Sequence, residues 1–130
     1  MKILSAWLVP TCLVFCSQVL AHHSYYALYD VEQKIAITGT LVRFEFRQPH
    51  IEMEVLVEDS EGEVSLWFIE STSPKRWDRL VSTRQVARIG EVITLEGWPS
   101  RQGYDEMLLS RIDSHLGTTM VIDKVRQPRR

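Results

Sequence analysis

From Lys34 to about Ile112 the chain is mostly strand-like, with apolar residues recurring at every second position. Residues 34–46 form the first such run. Ile35, Ile37, Thr40, Val42, Phe44 and Phe46 give it high β-propensity, and Gly39 interrupts it as a bulge or sharp bend would. Arg47-Gln48-Pro49 ends the run and His50 opens the next. There Ile51, Met53, Val55 and Val57 alternate with Glu52, Glu54, Leu56 and Glu58. Asp59-Ser60-Glu61-Gly62 is a polar turn, so the second and third strands are predicted to form a hairpin. The third, residues 63–70, sets Val64, Leu66 and Phe68 against Trp67 and Ile69, which predicts partial cover on both faces.

The period changes at Ser73-Pro74, where a capping side chain precedes a proline suited to the first helical position. A short helix to about Val81 is predicted, with Trp77 and Leu80 or Val81 facing inward. Fourth and fifth strands follow at 92–98 and 104–112, separated by the turn at 99–103, and Met120-Val121-Ile122 could add a short one. Three strands, a helix and two strands is the order of an OB-fold. The predicted fold class is therefore all-β, a five-stranded OB-fold-like antiparallel barrel with one short helix. The alternative is an antiparallel β-sandwich.

The N-terminus breaks this pattern. Lys2 precedes a largely apolar run to Phe15, and Val19-Leu20-Ala21 fits a cleavage site, so residues 1–21 are expected to be a signal peptide. An uncleaved anchor is disfavoured because no stop-transfer flank follows. A lipid on Cys16 is disfavoured by the bulky Phe15 before it. An aromatic lead-in (22–33), the barrel domain (34–114) and a tail (115–130) complete the expected organisation, and the location is periplasmic or secreted, in a bacterium. Both cysteines, Cys12 and Cys16, would leave with the leader, which removes thiolate chemistry and disulfides. The full chain has a formal charge of −2, and loss of Lys2 makes it more acidic still. That balance argues against a nucleic-acid partner, which wants clustered positive charge.

Cleavage after Ala21 would start the mature chain at His22-His23. An α-amine and an imidazole on one residue can chelate an ion, and nitrogen donors suit copper. His22, His23 and His50 are the candidate metal ligands, with His50 as the third nitrogen and His23 as an alternative or addition. A polar junction and a strand-end histidine would explain the same residues without metal. Glu52, Glu54 and Glu58 read as a solvated face, and Glu70 as a weak ligand candidate or a turn cap. No Gly-x-Ser-x-Gly, phosphate-cradling glycine loop or His-Glu-x-x-His is present, and no enzymatic activity is expected.

Ala21-His22-His23-Ser24, Thr38-Gly39-Thr40, Gln48-Pro49-His50-Ile51, Trp67, Glu70, Gly90 and Gly97 together resemble a family of small secreted bacterial proteins, the domain of unknown function 6152. Where that family has Asn-Pro-His, this chain has Gln48-Pro49-His50 and keeps the histidine. The resemblance implies an envelope location and a β-barrel, and no activity. Two functional expectations remain: a copper-binding module, or a metal-free envelope module that binds a peptide, glycan or protein through its barrel face and Trp67 or Trp98.

Overall fold

The computed structural model describes residues 25–125. The expected leader and the last five residues lie outside them. The elements are α1 (Tyr25–Leu28), β1 (Ile35–Glu45), β2 (Glu52–Glu58), β3 (Val64–Glu70), α2 (Pro74–Leu80), β4 (Val92–Pro99), β5 (Glu106–Ser114) and β6 (Gly117–Met120). The sheet runs β3-β2-β1-β4-β5-β6, and a β3–β5 pairing closes the first five strands into a barrel. With the helix α2 between β3 and β4, this is the OB-fold arrangement.

The barrel is mixed rather than wholly antiparallel. Phe68, Ile69 and Glu70 run parallel to Glu106, Met107 and Leu108. The reason is topological: strands around a ring of five cannot alternate in direction throughout, so one junction must be parallel.

β1 is shared between two neighbours. Ile35 to Thr40 pair with β4, and Thr40 to Glu45 pair with β2. Gly39 stands at the changeover, where a Cβ would lie 2.3 Å from the Leu56 carbonyl oxygen. The glycine is there for close approach of β2. The register break comes later, between Leu41 and Arg43. That break turns Leu41 fully inward and leaves Val42 exposed. Gly39→Ala should therefore destabilise the barrel by at least the ~1–3 kcal/mol typical of overpacking, because backbone rather than a flexible side chain must move. Urea unfolding checks this, and an unchanged midpoint would mean the corner relaxes freely.

The core is continuous and apolar. Leu41, Ile51, Met53, Val55, Ile69, Trp77, Leu95, Leu109 and Ile112 are essentially inaccessible. β5 is covered on both sides, since Met107, Leu108, Leu109 and Ser110 are all buried. β3 is less covered than predicted: Trp67 and Ile69 face the core, whereas Val64, Leu66 and Phe68 are exposed. Trp77 in α2 and Val81 just after it are buried, and Leu80 is exposed. Ser73 makes no side-chain capping bond, so proline at the helix start carries that boundary. Tyr104 precedes β5 and is exposed. The stretch expected as a tail begins as β6, and Val121 and Ile122 beyond it are buried. Their N–H groups both donate to the Ser110 carbonyl.

Candidate functional site

The lead-in is fastened to the barrel. The Tyr29 N–H closes α1 on the Tyr25 carbonyl at 2.8 Å, and the Asp30 N–H donates to the Pro99 carbonyl at 2.8 Å. Arg101 donates from its backbone N–H to the Leu28 carbonyl and from Nε to the Tyr26 carbonyl. Tyr26 donates its hydroxyl to the Val125 carbonyl at 2.7 Å. The first described residues are thereby held against the end of β4, the turn that follows it and the segment after β6.

His50 is held from the other side. Ile51, next to it, is fully buried; its N–H donates to the Thr72 carbonyl and its carbonyl accepts from the Ser71 N–H. Because the hairpin pairs Glu52 with Glu70, this extension of the ladder brings His50 beside the last residue of β3. His50 Nδ1 lies 2.6 Å from Glu70 Oε1. Tyr29 donates its hydroxyl to the second oxygen, Glu70 Oε2, at 2.7 Å. Tyr25 Oη is 3.2 Å from His50 Nε2, with ring centroids 5.8 Å apart.

The protons in this relay follow from the donors available. An ionised carboxylate only accepts, so Glu70 takes hydrogens from Nδ1 and from Tyr29. In the neutral imidazole that leaves the lone pair on Nε2, facing the Tyr25 hydroxyl. Tyr25 is pushed up to about 12, first by burial and then by the Glu70 charge, with Arg76 opposing. Tyr29 is raised further, by burial first and then by its bond to Glu70. Both phenols therefore stay protonated and donate at neutral pH. Fixing Nδ1 on a carboxylate is how proteins orient a metal-ligating imidazole; here the opposite nitrogen, Nε2, meets the Tyr25 hydroxyl.

Among the described residues, no three His, Cys, Asp or Glu side chains converge to hold a metal ion. His50 and Glu70 are brought together; His22 and His23 lie outside the described residues. Glu70 is an orienting partner of His50, a role its strand-end position did not suggest. The four-residue spacing of Tyr25 and Tyr29 was a signal that both face one surface. His115 is elsewhere, with Nδ1 2.6 Å from Glu91 Oε1. Glu52 is bound to Arg47 at 2.6 Å, and Glu54 to Arg43. Trp98 is buried beneath Lys34, whose ammonium sits 4.8 Å from its ring centroid, and Trp67 packs against the core.

Solved structures similar to this chain include the yeast (S. cerevisiae) mitochondrial single-stranded DNA binding protein Rim1, at 13% identity and TM-score 0.49, covering 64% of this chain and 93% of that one. The N-terminal domain of PriB from Thermoanaerobacter tencongensis is similar at 11% identity and TM-score 0.46, over 64% of this chain and 96% of that one. Among curated proteins none matches the chain. Residues 11–109 match the sequence pattern of DUF6152, and the chain belongs to that family of unknown function.

Proposed function

We propose that the chain is an exported β-barrel binding protein, periplasmic or secreted, that holds one copper ion between its mature N-terminus and His50. The observation that carries this reading is the contact of Tyr25 with His50 Nε2 at 3.2 Å. His22 is three residues before Tyr25, and three residues span at most roughly 10–11 Å. An N-terminal chelate at His22 is therefore within chain reach of His50 Nε2, the imidazole nitrogen that Glu70 does not engage and from which a bound ion displaces the Tyr25 hydroxyl. The ligands are the His22 amine and ring and His50 Nε2, with His23 as a substitute or fourth donor. Three nitrogens without thiolate favour Cu²⁺ over zinc by the Irving–Williams order.

Binding requires the α-amine to lose its proton. An unperturbed α-amine has a pKa of ~7.7–8.0, so affinity falls as pH drops below neutrality. Intact-mass measurement of the exported protein should give a chain starting at His22, and calorimetry of that protein should give one Cu²⁺ per chain. A retained leader or a lipid on Cys16 would remove the amine chelate and the reading with it.

A metal-free module that docks a peptide, glycan or protein is the second reading. It is favoured by the exposure of Leu56, Leu66 and Phe68, which stand side by side on the outer face of β2 and β3. Failure of processed protein to bind copper would leave this reading in place. Nucleic acid is a poor partner for that face, since Glu52, Glu54 and Glu58 share it.

A further inference from the structure

Tyr25 also lines a cavity of about 220 Å³ between α1, α2 and the segment after β6. Its walls divide by chemistry. Leu108, Ile122, Val125 and Tyr25 supply apolar and aromatic lining. Arg76 and Lys124 bring two cations to it, and Thr72 a hydroxyl. Among the described residues neither cation has a carboxylate within ion-pair distance. The acid nearest Tyr25, Glu70, is committed through one oxygen to His50 and through the other to Tyr29.

We propose that this cavity binds a small organic carboxylate with an apolar body, of about the size of benzoate. Two cations without a carboxylate partner among the described residues, beside apolar lining, call for an anion with a hydrophobic part. The carboxylate takes charge-assisted bonds from Arg76 and Lys124, and the body covers Leu108, Ile122 and Val125. Inorganic phosphate would satisfy the cations but leave a strongly hydrated ion against apolar walls, which costs desolvation with no apolar gain. The size follows from the volume: an apolar cavity of ~150 Å³ holds benzene, so about 220 Å³ has room for a ring and a carboxylate.

The test uses processed protein stripped of metal and then freed of chelator, titrated separately with benzoate and with phosphate, and followed by amide NMR shifts. Benzoate should shift the amides of Thr72, Arg76 and Val125 saturably. Arg76→Gln and Lys124→Gln should each weaken it roughly tenfold, the loss expected for one charge-assisted hydrogen bond. Both side chains are exposed, so neither substitution threatens the fold. Absence of saturable shifts at these amides would overturn the proposal. So would affinity unaltered in both variants, or phosphate binding as tightly as benzoate. Because metal is absent throughout, the result is independent of whether the protein binds copper.

Discussion

His50→Ala should weaken Cu²⁺ binding by more than the roughly 10–100-fold that loss of an outer-shell partner costs. The substitution removes the nitrogen that the fold directs at the N-terminal segment. It also leaves Glu70 with Tyr29 alone and removes Nε2, the acceptor of the Tyr25 hydroxyl. The His50 side chain is 37% exposed, and its loss should cost little in folding. Glu70→Gln separates positioning from ligation. It preserves shape but replaces a charged acceptor by a neutral one, so affinity should fall within that 10–100-fold range while stoichiometry stays one ion per chain. Calorimetric titration at fixed pH reads both variants. Wild-type affinity in His50→Ala would remove this imidazole from the site, and wild-type affinity in Glu70→Gln would make the carboxylate contact incidental.

The largest effect on stability is expected at Trp77. It is wholly buried, meets Phe44 edge-on with centroids 6.0 Å apart, and donates its indole N–H to the Thr83 carbonyl at 3.3 Å. It anchors α2, the helix inserted between the third and fourth barrel strands. Trp77→Ala should cost ~3–5 kcal/mol, from lost apolar transfer and from the cavity left behind. A small domain has only ~5–15 kcal/mol to lose, so the variant should unfold at much lower urea or fail to accumulate. Leu80→Ala, in the same helix but exposed, should move the midpoint little, which guards against a general effect of altering α2. Equal losses in the two would mean that Trp77 does not anchor the helix.

The strand order and the helix start were legible because each rests on local chemistry: two-residue alternation, Gly62 after a polar turn, proline at Pro74. Gly39 was legible as a corner, though not its cause, because the approaching Leu56 carbonyl belongs to another strand. The burial of Leu41 and exposure of Val42 were not legible, because the irregularity between Leu41 and Arg43 has no signal in the alternation. The exposure of Leu66 and Phe68 has no sequence signal, since alternation gives two faces without saying which is inside. At the site, His50 could be picked out by its residue type and its proline. Glu70 reads from the sequence only as a weak ligand candidate or turn cap, and its pairing with His50 was hidden because a hairpin register alone joins positions twenty residues apart in the chain. The cavity at Arg76 and Lys124 was equally hidden, its lining drawn from four separate stretches.

The claim at the centre of this account is that the mature N-terminus itself is a ligand. Copper titration of the protein beginning at His22, beside a version with one extra residue before it, tests that claim most directly. The extension keeps every side chain but moves the free amine away from the His22 ring, so Cu²⁺ affinity should drop at least about as far as in Glu70→Gln, by ~10-fold or more. Equal affinity of the two proteins would contradict it.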